Sequence, residues 1–268
     1  MSSLKIIMSL IKRDIRTSKR SISIKFGTFF TIFIAYVLLV IYHRYNYEIV
    51  NTNSLIFEIF KGCTYIESST GLSTSGFKFP IIWLFINSFI IYAVGNYFYE
   101  DIKINGKYVL IRVKKMQYIY IAKIIWSIVM IIAYYVILLL ISAMLGYLFR
   151  TDIYKYIDPN YFKIDTIDLI KNVFVLYTLT SISLVVIFIT LTLKIKPVYA
   201  FLIDIVLCAS SIFVESKFFI GQHSLLIRHT PFDLVHNFTM YDSIIYNLII
   251  TTCVIAIGSA LASKKEVF

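Results

Sequence analysis

Acidic residues, cysteine, proline and tryptophan are all scarce in this 268-residue chain, and each shortage removes a class of protein. Charged residues make up only 15% of it. Soluble domains carry roughly a quarter, so a water-soluble globular fold is excluded. Three scattered cysteines, Cys63, Cys208 and Cys253, cannot supply a disulfide framework. With only four prolines, long stretches are free to run as unbroken helix. No Gly/Ser linker, low-complexity tract or repeat of twenty to fifty residues divides the chain, which reads as a single transmembrane domain over 1–268.

What is present is apolar: 59% hydrophobic, 17% aromatic, with a mean hydropathy of +0.80. Six runs, at 26–42, 80–98, 124–149, 173–193, 198–213 and 244–261, approach or exceed the ~20 residues that cross a bilayer as helix. Lys and Arg crowd into alternate gaps. The N-terminal segment, 100–123, 194–197 and the tail hold 17 of the 26, and the other gaps hold 9. The Lys/Arg bias sets orientation, so both termini are expected in the cytoplasm of a multi-pass protein of the cell (plasma) membrane. The net charge of +11 sits beside spans, where it meets anionic membrane lipid rather than nucleic acid. The first run begins at Phe26 and is long enough to span, so no cleavable signal peptide is expected.

Before that run, Leu4, Ile7, Met8, Ile11 and Ile15 recur at helical spacing opposite Lys5, Lys12, Arg13, Arg16 and Lys19. This predicts an amphipathic interfacial helix over 1–22. The expected fold is therefore all-α and integral to the membrane: an elbow helix, six spans, and short outer helices between spans five and six. A second amphipathic segment lies at 100–117. Glu100 and Asp101 close the second run and Gly106 allows a turn. Val109, Val113 and Met116 then recur beside Arg112, Lys114 and Lys115, and Lys123 opens the third run as an interfacial anchor. A plain topology signal would need the charges but not the apolar stripe.

Asn87 and Asn96 in the second run, and Thr178 and Ser181 in the fourth, suit close helix packing or a polar path for a substrate. Asp204 is the one ionisable residue well inside a run. It costs about 2.5–3.5 kcal/mol there, so it needs a partner, water or a packing role, or it serves transport. Residues 71–78 nearly spell a phosphate loop, but Phe77 stands where the lysine belongs. His223, His229 and His236 are spaced too widely for a catalytic metal helix. No catalytic constellation for intramembrane hydrolysis appears.

Taken together, the basic leader, the six runs, Glu100, Gly106, Leu110, Arg112 and Lys123 resemble the permease subunits of type-2 ABC exporters. Lys107 replaces the usual Thr after the glycine, and the Pro often found in the coupling helix is missing. The resemblance implies a transport subunit without an ATPase site or bound cofactor of its own, which pairs with a second permease subunit, identical or homologous. Separate ABC ATPase subunits, carrying ATP and Mg, would dock on a coupling segment made of Glu100, Asp101, Gly106, Val109, Leu110, Arg112, Val113, Lys114 and Lys115. The cargo would be hydrophobic or amphipathic, such as an antimicrobial peptide, and would pass Asn87, Asn96, Thr178, Ser181 and Asp204. An ATP-independent immunity protein or a secondary carrier is the alternative.

Overall fold

The computed structural model describes residues 3–45, 51–64, 79–113, 115–150, 165–214, 216–230, 232–233 and 238–264. The 71–78 loop, Lys114 and His236 lie outside the described residues. Among those described there is no strand, and five helices are long and apolar enough to cross a membrane. The protein is an all-α, multi-pass membrane protein.

Helix α1 (Ser3–Tyr45) is continuous, so the elbow expected over 1–22 and the run at 26–42 form one element. The reason is local. No proline interrupts the stretch, and Gly27, with nothing within 4 Å of the place of its missing Cβ, creates no kink. At about 1.5 Å per residue, α1 is about 65 Å long, roughly twice a hydrocarbon core of about 30 Å. It has two faces. Leu10, Asp14, Ser18, Ile22, Phe26, Phe29, Phe33, Val37 and Ile41 are buried at spacings of three or four, whereas Leu4, Met8 and Ile15 are exposed.

After α2 (Thr52–Phe60), helix α3 (Ile81–Ile90) passes through a π-helical turn, Ile91–Gly95, into α4 (Asn96–Val113). A wide turn of this kind adds a residue to the ladder. Here the ring of Phe188 packs directly against Gly95, where any Cβ would collide with it. The turn expected at Gly106 does not form. Glycine costs a helix interior about 1 kcal/mol, and the packing of Ile102, Val109, Leu110 and Val113 against the core offsets it. The chain breaks instead at Lys115, which is extended (φ −131, ψ 121) ahead of α5 (Met116–Leu148).

Helix α6 (Thr166–Thr192) starts where the Asp165 carboxylate accepts the Thr166 N–H at 2.9 Å, a normal cap for an exposed donor. Pro197 opens α7 (Pro197–Phe213), where its missing N–H removes nothing. At 17 residues α7 is shorter than the five helical stretches long enough to cross a membrane. Two 3-10 turns, Ile220–Ser224 and Leu226–Arg228, lead to α8 (Met240–Lys264).

α6 lies at the centre, against α5, α7 and α8. α8 meets it through small and polar residues: Ser243, Asn247, Gly258 and Ala262 are its buried positions. Gly258 leaves room for the Tyr120 hydroxyl, which hydrogen-bonds Thr190 Oγ1 at 2.8 Å, and Ser183 donates to Asn247 Oδ1 at 2.8 Å. Small residues let helices approach closely and hydrogen-bond where there is no water. Rings from α1, α3 and α5 fill the neighbouring seam, with Phe29 stacked on Phe89 at 4.2 Å and on Phe33 at 6.1 Å.

Candidate functional site

At the end of the bundle rich in Lys and Arg, four charges from three helices meet. Asp101 of α4 accepts from Arg13 of α1 at 2.6 Å and from Asn105 at 2.9 Å, and forms an ion pair with Lys123 of α5 at 2.6 Å. Asp14 lies 2.6 Å from Arg13 and 3.1 Å from Lys123. Asp14 is wholly buried and Lys123 is 1% exposed, so the cluster sits inside the protein. Lys123 Nζ also lies 4.2 Å from the centre of the Tyr97 ring, whose hydroxyl shares a 2.7 Å hydrogen bond with Thr17. Two cations balance two anions, a condition for burying charge without a large desolvation cost.

This corrects two expectations. Asp101 does not face a partner, because it fastens α4 to α1 and α5. Lys123 does not reach for an interface, because a neutralising pair of carboxylates holds it within the bundle. The signal that points to the cluster is Asp14, the only acid in the first 47 residues. It falls in register with Leu10, Ser18 and Ile22, on the face that the protein buries.

The rest of α4 is also turned differently from the expectation. Val109 and Leu110 are partly buried against the chain's own core and Val113 is buried, so they are turned inward and offer little free apolar surface. The exposed apolar residues are Ile104 (70%), Tyr108 (73%) and Ile111 (76%), one stripe at helical spacing. Arg112 and Lys115 are exposed near its end, Gly106 is buried within the helix, and Lys114 lies outside the described residues. Glu100 is exposed and accepts from Asn96 Nδ2 at 2.7 Å. Both border a groove of about 570 Å³ between α4 and α7, walled by Tyr92, Phe188 and Phe201 with Lys103 at its edge.

The other sequence-predicted path residues divide. Asn87 and Ser181 come together: Ser181 Oγ lies 3.3 Å from Asn87 Oδ1 and 2.6 Å from the Tyr135 hydroxyl. Thr178 is buried and its hydroxyl has no hydrogen-bond partner among the described residues. Asp204 is fully buried on the face of α7 that carries Ala200 and Cys208, and neither carboxyl oxygen accepts a hydrogen bond from the described residues. An ionised carboxylate in that setting carries an uncompensated desolvation cost of several kcal/mol.

At the opposite end of the bundle, buried Arg228 ties three segments together. It donates to the carbonyls of Cys63 (3.1 Å), Thr64 (3.1 Å), Ser211 (2.8 Å) and Ile212 (3.1 Å), and to Gln222 Oε1 (2.6 Å). Burial pushes the Cys63 thiol above its usual range, partly opposed by Arg228. Burial also lowers His223 and His229, each to about 4, so both are neutral at physiological pH. Their ring nitrogens face Ser243 and the backbone carbonyls of Lys217 and Leu225.

No family model, curated protein or solved structure matches the chain.

Proposed function

We propose that the chain is the membrane-spanning permease subunit of an ATP-driven, type-2 ABC exporter. In this reading it spans six times, with α7 as the fifth span, and the basic half of α1 serves as the elbow segment. Both termini are cytoplasmic, in the plasma membrane. Two permease subunits form the path, and separate ATPase subunits supply ATP and Mg. The cargo is hydrophobic or amphipathic, peptide being the class that suits the aromatic groove beside Glu100 and Asn96.

The observation that carries this reading is the stripe of Ile104, Tyr108 and Ile111 beside Arg112, on a helix fastened to two others through Asp101. Tyr108 and Ile111 follow the charged residues Glu100, Asp101 and Lys103 that close the apolar run, where a large exposed apolar surface needs a protein partner. A push delivered there by a closing ATPase dimer passes through Asp101 to α1 and α5 without a flexible joint. The experiment is co-purification with a co-expressed ABC ATPase, together with vanadate-sensitive ATP hydrolysis in proteoliposomes. Tyr108→Asp combined with Ile111→Asp should insert normally and lose both signals. Retention of both signals by the double variant overturns the docking face.

The unpartnered Asp204 favours a second reading, an ion-coupled secondary carrier. Export that a protonophore abolishes and vanadate leaves intact would select it.

A further inference from the structure

The end of the bundle away from the ionic cluster holds a hydrogen-bond arrangement that the exporter reading does not use. Two imidazoles address one hydroxyl: His223 Nδ1 lies 2.9 Å and His229 Nε2 lies 2.8 Å from Ser243 Oγ. Each ring turns its other nitrogen to a backbone carbonyl, His223 Nε2 to Lys217 at 3.0 Å and His229 Nδ1 to Leu225 at 3.0 Å. A carbonyl only accepts, so both of those nitrogens carry hydrogen. In neutral rings the two nitrogens facing Ser243 are then bare acceptors, and the serine has one proton to give. Four contacts share three protons.

We propose that His223, Ser243 and His229 form one proton-binding site, which takes up a single extra proton in a step well separated from any second. With that proton, one imidazolium donates to Ser243 Oγ and the serine hydroxyl donates to the other ring, so all four contacts are filled. A second proton sets N–H groups from both rings against one oxygen, strands the hydroxyl hydrogen, and places two cations across a single atom. The first proton gains a hydrogen bond, whereas the second gains none, because an N–H donor replaces the hydroxyl in one contact and the hydroxyl hydrogen is left without an acceptor. Burial opposes both steps alike, so the separation between them comes from the serine together with the repulsion between the two charged rings.

The surroundings suit one cation. The Tyr246 ring stacks on His223 at 4.2 Å, and the Phe238 ring lies 4.4 Å from His229. Ring faces attract a positive charge. Asp242 of α8 acts on both rings in the same sense. Lys217 opposes it from 3.8 Å away from Asp242 and 5.5 Å from the centre of the Phe238 ring. Arg228, next to His229 in sequence, directs its guanidinium to Gln222 and to carbonyls of the 61–64 segment and α7. Coupled sites of this kind titrate as a pair, with two macroscopic steps.

The site stands whether or not the chain is an exporter, and its test needs no partner protein. Full-length chain labelled with 15N in its imidazole rings is placed in lipid nanodiscs, and the ring nitrogen shifts are followed from pH 8 to pH 3.5. The chain has four histidines, so assignment by single His→Gln variants is direct. The expected result is an interval of at least about one pH unit in which the pair holds one proton. Ser243→Ala should narrow the interval to what ring–ring repulsion alone supplies, whereas Ser243→Thr, which keeps a hydroxyl, should preserve it. A single merged step in the native chain overturns the proposal, as does an interval as wide in Ser243→Ala as in the native chain. If the alanine variant does not fold, the native and threonine titrations still decide, because two merged steps in either refute the shared proton.

Discussion

Removing the Asp101 carboxylate is the sharpest perturbation the fold allows. Asp101→Asn keeps the shape and the hydrogen bond with Asn105, yet leaves Arg13 and Lys123 facing Asp14 alone. Lys123 is then a nearly inaccessible ammonium with half its counter-charge gone. Breaking a buried pair from one side costs about 3–5 kcal/mol. Arg13 is 27% exposed and can turn toward water, so its share of that loss is small and most of it falls on Lys123. Lys123→Met should cost a similar amount, since it leaves two carboxylates on one arginine. The double variant restores the balance of one anion to one cation and should be less harmed than the sum. We expect a coupling energy of about 2 kcal/mol or more, within the range for residues in direct contact. The assay is equilibrium unfolding in mixed micelles for the four members of the cycle. Additivity to within about 0.5 kcal/mol would refute the cluster as a unit, as would an Asp101→Asn protein as stable as the parent.

Other outcomes follow from single features. Asp204→Leu removes a buried carboxyl that has no partner, so it should raise stability by about 1–3 kcal/mol in the same unfolding assay; a clear loss of stability would show that the carboxyl has a favourable partner. His223 and His229 have folded values near 4 against about 6.5 unfolded, so the folded state binds fewer protons. The stability they contribute is complete above about pH 6.5, is lost as pH falls to about 4, and changes no further once the folded rings have taken up their protons. A melting temperature unchanged between pH 7 and pH 4 would contradict this. In a background lacking the three native cysteines, cysteine at exposed Phe218 should label from outside intact cells and cysteine at exposed Ile111 should not. The reverse pattern would invert the proposed orientation.

Much of the fold was legible because the apolar runs and the basic gaps report the membrane directly. The third run, expected at 124–149, and the fifth, expected at 198–213, stand close to the bounds of α5 and α7. Less legible was what adjoins the runs. Gly106 suggested a turn, but propensity is a weak prior against a helix whose Val109, Leu110 and Val113 find core to pack on. The same three residues looked like a docking stripe because a periodic pattern does not say which neighbour covers it. Ile104, Tyr108 and Ile111 have an equal claim by spacing, and only the packing shows which set is free. Asp14 was hidden among five basic residues between Lys12 and Arg20, and its role depends on Asp101 and Lys123, far away in sequence. The pairing of His223 with His229 through Ser243 likewise needs a third residue that no motif links to them.

The unbroken course of α1 gives the molecule a rigid strut. A hinge between the basic leader and the first span would let one half move while the other stood still. Without one, tilting the helix by about 10° about its middle carries each end through about 5–6 Å, given its length of about 65 Å. A displacement imposed where Arg13 and Asp14 grip α4 and α5 therefore reappears, reversed in direction, beside Val37 and Ile41 at the far side of the bundle.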